Sequence, residues 1–220
     1  MAQRTTDAPV GERRLAMTYE QFLAWAGDSA QAEWVVGEAI AFMPPTIRHG
    51  YLIRFLVTLL GNYVDLFDLG ALLTAPIAMR LARLAREPDI LFVARENLYR
   101  LTPEQLEGPA DLVIEVVSDD SVTRDRVEKR AEYAAAGIPE YWVFDPRPGQ
   151  HRADFFRLGV GGVYAAVPLG ADGRYRSLAL PGFWLDPAWL WQEPLPKPLT
   201  LLADIAPGAA GVAGTGAAPD

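Results

Sequence analysis

The chain of 220 residues contains no cysteine, so disulfides and thiolate metal ligands are excluded. Its two histidines are too few for a histidine-rich zinc centre. Lysine is nearly absent as well. Only Lys129 and Lys197 occur, and every other basic residue is arginine. Coding bias explains the arginines but not the lysine kept at 129. Positive charge is also scarce, with a formal net charge of −8. That balance argues against a protein that binds nucleic acid chiefly by neutralising phosphates. It argues less against a metal-dependent enzyme, where carboxylates gather and the cation reverses their local sign. No uninterrupted apolar run is long enough to span a bilayer. The most apolar stretch, 51–69, is broken by Arg54, Asn62, Asp65 and Asp68. Residues 1–16 are polar and lack the apolar centre of a signal peptide. The expectation is a soluble, cytoplasmic protein with no membrane segment.

Half of the residues are hydrophobic, enough for one sizeable core. Residues 1–16 read as a flexible arm, 17–206 as one folded domain, and 207–220 as a disordered Ala/Gly/Pro tail. Thr18 with Gln21 forms a capping box for a first helix. Strands are expected at 33–36 and 39–43 around a Gly37-Glu38 turn, the second stopped by Pro44-Pro45. A largely buried helix is expected over 48–67, then strands at 71–81 and 89–93, with one helical turn at 102–106. Residues 112–117 are apolar except for Glu115, which suits a central strand covered on both faces. A helix follows at 122–136, a strand at 140–144, and an all-β pattern from Arg152 onward. Pro187–Trp191 is read as a last short helix.

The chemistry concentrates in the middle of the chain. Asp89 opens one strand and Glu115 lies within another. The period of two puts Asp111, Val113, Glu115 and Val117 on one face. A carboxylate there is costly unless it is paired, protonated or bound to a metal. On the next helix Asp125, Lys129 and Tyr133 form one stripe; Val127, Ala131, Ala134 and Ala135 are expected to pack on the sheet from the other side. Two carboxylates and one ammonium suit phosphodiester hydrolysis: the carboxylates hold a hard cation through oxygen, and the lysine positions water or stabilises developing charge. Taken singly, each has a plainer explanation. Asp89 after proline suits a strand start, and Lys129 suits an ion pair with Asp125. Elsewhere, His49 suits either a pocket wall or a local helix-terminus bond, and His151 a surface turn. Glu140 reads as a structural carboxylate satisfied by a neighbour, and the Gly-rich 159–162 as a turn. Arg83 and Arg86 read as phosphate contacts or a solvated edge. Trp184, Trp189 and Trp191 read as satellite core.

A set of residues from Met17 to Trp191 resembles one known family. It includes Thr18-Tyr19-Glu20-Gln21-Phe22-Leu23, Gly37-Glu38, His49, Arg80-Leu81 and Pro88-Asp89. The densest part runs from Asp111-Leu112-Val113-Ile114-Glu115-Val116 and Ser118 through Asp125, Lys129, Tyr133 and Gly137. It ends at Pro139-Glu140-Tyr141-Trp142 and Asp145-Pro146. These residues resemble the Uma-two family of restriction-endonuclease-like proteins, within the PD-(D/E)XK nuclease superfamily. The resemblance implies an α/β (α+β) restriction-endonuclease-like core, a mixed central sheet flanked by helices, here followed by a C-terminal β-meander. It implies Asp89 and Glu115 as metal ligands, Lys129 as the displaced catalytic lysine, and Glu33 as a further acidic site residue. Val117 stands where the superfamily usually has its lysine. The leading expectation is therefore a DNA endonuclease using Mg²⁺, with Mn²⁺ as a substitute, and a homodimer is compatible with it because cutting both strands usually needs two sites. The competing expectation is a non-catalytic interaction or regulatory protein on a retained nuclease fold.

Overall fold

The computed structural model describes residues 13–26, 32–41, 46–119 and 121–207. In chain order the strands and helices are β1 (Arg13–Ala16), α1 (Tyr19–Ala26), β2 (Ala32–Val35), β3 (Glu38–Ala41), α2 (Ile47–Leu66), β4 (Gly70–Thr74), β5 (Ala78–Arg80), β6 (Leu84–Arg86) and β7 (Ile90–Ala94). There follow β8 (Gln105–Glu107), β9 (Leu112–Val116), α3 (Lys129–Ala135), β10 (Glu140–Asp145), β11 (Arg152–Leu158), β12 (Tyr164–Ala166), β13 (Tyr175–Arg176), β14 (Trp184–Leu185) and α4 (Pro198–Ile205).

The strands form two mixed six-stranded sheets and a small two-stranded one. The first sheet has the order β1-β3-β2-β6-β5-β8 and the second β12-β11-β10-β9-β7-β4. In the second sheet β9 and β10 run parallel, and β10 to β12 continue antiparallel as a meander. Alternation along β9 divides the core. Leu112, Ile114 and Val116 join α2 residues Leu52, Phe55, Leu56 and Leu59 on one side. Val113 and Val117 join Met79, Leu84, Leu106 and Tyr133 on the other. Burying each such side chain contributes roughly 1.5–3 kcal/mol, so β9 is held by hydrophobic layers on both faces. That sandwich makes an acidic residue on β9 expensive.

Local signals explain several element ends. Thr18 and Gln21 exchange hydrogen bonds, Gln21 N–H to Thr18 Oγ1 at 3.2 Å and Thr18 N–H to Gln21 Oε1 at 2.8 Å, closing the capping box of α1. Thr46 caps α2 by accepting from the His49 N–H at 3.2 Å. The β2–β3 hairpin turns at Val36-Gly37, one residue earlier than expected, with φ of 47° and 89°. Two positive φ angles match the twist of flanking strands, and Gly37 takes one without penalty.

Other expectations are corrected. The last four residues of the expected arm form β1, paired to β3; residues 1–12 and 208–220 lie outside the described residues. So does the Pro44-Pro45 stop. The expected strand at 71–81 is two strands in different sheets, divided at Ala75-Pro76 because proline supplies no ladder N–H. The 102–106 segment is not helical; it is a turn leading into β8, and a 3₁₀ helix lies earlier, at Arg95–Arg100. Pro187–Trp191 is a 3₁₀ helix as expected, but α4 follows it, with Pro198 at its first turn.

Candidate active site

β7 and β9 are antiparallel, with Ile90 opposite Ile114. Continuing that register by one residue sets Asp89 opposite Glu115, just where the ladder opens. Asp89 Oδ2 accepts the Val116 N–H at 2.7 Å and lies 3.3 Å from His49 Nε2. Two residues distant in the chain thus meet at one strand end. The His49 N–H is capped by Thr46, the expected local helix-terminus bond, and its ring reaches Asp89.

Lys129 enters from the helix above. A π-helical turn, Arg124–Glu128, runs into α3, and the Lys129 N–H bonds the Arg124 carbonyl. The wider turn turns Asp125 and Lys129 inward together, and Tyr141 donates its hydroxyl to the Asp125 carbonyl at 2.7 Å. Lys129 Nζ lies 2.9 Å from Glu115 Oε1, 3.0 Å from Glu33 Oε1 and 3.5 Å from Asp125 Oδ1. Tyr133 donates to the same Glu115 oxygen at 2.8 Å. This overturns most of the expected packing of the helix. The Asp125–Lys129–Tyr133 stripe faces the sheet, and of the four residues expected inward only Ala134 is buried in the core, while Ala131 and Ala135 are exposed and Val127 is 62 % exposed. The physical reason is Glu115: a buried carboxylate requires a cation and a donor, and that requirement outweighs burial of a few small apolar side chains.

The electrostatics follow from burial. Burial pushes the Glu115 carboxyl up to about 8; Asp125, Asp89 and Glu33 add to the rise against the pull of Lys129. Burial also raises Asp125. Burial alone would raise Glu33, but Lys129 and Arg86 outweigh it and hold that carboxyl at about 2. The surrounding carboxylates overcome the burial of Lys129 and keep its ammonium charged. For His49, the Asp89 hydrogen bond overcomes burial and raises the ring.

Glu33 sits on β2 behind the lysine. Its Oε1 also accepts the Glu87 N–H at 3.1 Å, and its Oε2 accepts from Arg86 at 2.7 Å. Arg86 is therefore neither a solvated edge nor a phosphate contact; it is fully buried between Glu33 and Glu132. Glu87, half-buried beside this group, was not marked by the sequence; burial pushes its carboxyl up to about 8, with Glu33 adding. Glu140 is the structural carboxylate expected of it. It accepts from Trp142 Nε1, the Tyr175 hydroxyl, the Ser177 hydroxyl and the Leu178 and Ala179 N–H groups, at 2.5–3.1 Å. His151 is exposed and stacks on Trp191, and the three C-terminal tryptophans pack against the core. The 159–162 glycines turn β11 into β12.

No hydrogen bond from a described residue reaches Glu115 Oε2 or Asp89 Oδ1. Among the described residues, one oxygen of each carboxylate thus accepts no hydrogen bond, and a cation would relieve the crowding that raises Glu115. Among the described residues no three Asp, Glu or His side chains converge to enclose a metal. The donor set fits a hydrated divalent cation on two carboxylates, the usual manner of Mg²⁺.

Residues 19–188 match the Uma2 family, described as "Putative restriction endonuclease". The fold is similar to a crystal structure described as a "putative nuclease belonging to DUF820" from Anabaena variabilis ATCC 29413. The TM-score is 0.63 at 15% identity, over 80% of this chain and 97% of that one. No curated protein matches the chain. Among the described residues no helix is long and apolar enough to cross a membrane.

Proposed function

The chain belongs to the Uma2 family, and from that premise we propose that its Asp89–Glu115–Lys129 site hydrolyses DNA phosphodiester bonds with Mg²⁺ or Mn²⁺. The observation that carries this reading is the convergence of a buried lysine and two carboxylates at one strand end.

Asp89 and Glu115 would hold the cation, which when bound makes water more acidic and offsets charge on the phosphate. Asp89 is pre-aimed by the Val116 N–H and His49, so little ordering is left for binding. Lys129 acts as a cation rather than a base, because its carboxylate neighbours keep it protonated. Its hydrogens can orient the attacking water or meet charge growing on the phosphoryl oxygens. Glu33 is assigned here to Lys129 rather than to the metal. Both its oxygens are engaged, and its role is to anchor Lys129.

The test is nicking of supercoiled plasmid and cleavage of linear duplex DNA by wild type and Lys129→Ala. Both are run with Mg²⁺ or Mn²⁺, with a chelator control. Metal-dependent cleavage lost in the variant is expected. A folded wild type that cuts neither substrate with either metal refutes the reading and leaves a non-catalytic protein on this fold.

A further inference from the structure

β2 and β6 are antiparallel, with Trp34 opposite Ala85. The next pair along that register is Glu33 and Arg86, so the first sheet presents one buried acid–base pair towards α3. Arg86 is 0 % exposed. One guanidinium edge grips Glu132 through Nε and Nη2, both at 2.8 Å, and Nη1 holds Glu33 at 2.7 Å. A buried ion pair is a weak device for stability, since apolar residues of similar size generally serve as well. The pair is better explained by its next neighbour, because Glu33 passes from Arg86 directly to Lys129 at 3.0 Å.

We infer that Arg86 is a positioning residue of the active site: it shares the charge of Glu33 and fixes its carboxylate, so that Lys129 Nζ stays on Glu115. The inference rests on the nuclease reading for its consequence, but not for its geometry. With Arg86 present, Glu33 has a cation on each side, and Lys129 is divided between Glu33 and Glu115 at nearly equal distances. Without Arg86, Lys129 is the only cation left against Glu33 among the described residues, and the ammonium is drawn away from Glu115. Glu132, on α3 and partly exposed, ties the other guanidinium edge back to the helix that carries Lys129. The clamp therefore joins the first sheet to the helix and sets the height of the lysine above the second sheet.

The test uses the two-lysine composition. Lysine labelled with ¹⁵N at Nζ gives two ammonium signals, and Lys197→Arg assigns them. In Arg86→Met the Lys129 signal is expected to shift and to exchange its hydrogens faster. Metal-dependent DNA cleavage falls about 10- to 100-fold, in kcat rather than KM, as for other supports behind a catalytic group. Arg86→Lys, which keeps a cation against Glu33, recovers part of both effects; a packing role alone would make Arg86→Met the milder change. Should Arg86→Met not fold by circular dichroism, Glu132→Gln loosens the same clamp from its exposed end and is expected to move the Lys129 signal in the same direction. An unchanged Lys129 signal in whichever of these variants folds overturns the inference. A shifted signal in a protein whose wild type cuts no DNA supports the positioning role and refutes the nuclease reading instead.

Discussion

Lys129→Met removes the ammonium while keeping an unbranched side chain in the helix. Glu33, Glu115 and Asp125 then lose a buried cation that lies within 3.5 Å of each. The magnitude can be worked from Glu33. A carboxyl held at about 2 rather than 4.5 reports about 3 kcal/mol of net stabilisation, on the scale of 1.36 kcal/mol per pKa unit, supplied by Lys129 and Arg86 together. Loss of the lysine alone should therefore cost about 2–3 kcal/mol near pH 7, in line with the penalty for breaking a buried pair. The pH dependence has a definite sign. In the wild type, Glu33 contributes stability above its ordinary value that is lost as pH falls towards 2. Glu115, raised to about 8, favours folding in its protonated form, and that contribution is lost as pH rises through about 8. In Lys129→Met all three carboxyls move upward, so the deficit should open as pH rises from about 2, be present already at pH 5 and persist to pH 8. Urea unfolding of both proteins at several pH values checks this. A deficit that is absent at pH 8, or that shrinks as pH rises, refutes the reasoning.

Two further outcomes test the frame around the site. Glu140→Gln places an amide against five donors; it should cost about 2–3 kcal/mol in urea unfolding while leaving Mn²⁺ affinity unchanged, since Glu140 serves the fold alone. Gly70→Ala would set a Cβ 2.1 Å from the Val93 carbonyl at φ +146°. It should destabilise the protein by about 2 kcal/mol or more through strain and steric overlap, read as a lowered unfolding midpoint.

The reach of the sequence varies with the range of the forces involved. The long helix at 47–66 and the apolar strand carrying Glu115 follow from periodicity, which is local. The meeting of Asp89 with Glu115 was implied by family resemblance, and its physical cause is the β7–β9 register. The burial of Arg86 is not legible locally, because its partners, Glu33 and Glu132, lie far along the chain and nothing beside Arg86 announces them. The facing of α3 is hidden for a related reason. Apolar periodicity points Val127, Ala131 and Ala135 inward, yet the demand of Glu115 for a cation turns the polar stripe to the sheet. The π-helical turn leaves no local mark; it is fixed by contacts such as that from Tyr141 to Asp125. The strand β1 depends on β3, and its own four residues carry no alternation strong enough to declare it.

The central claim is that Asp89 and Glu115 hold a divalent cation beside Lys129. Calorimetric titration of wild type, Asp89→Asn and Glu115→Gln with Mn²⁺ at pH 7, in buffers of different ionisation enthalpy, tests it most directly. The account expects one ion per chain in the wild type, with proton release because Glu115 is held up at about 8, and loss of binding in both variants. A folded wild type that takes up no Mn²⁺, or variants that bind as tightly as it does, would contradict the account.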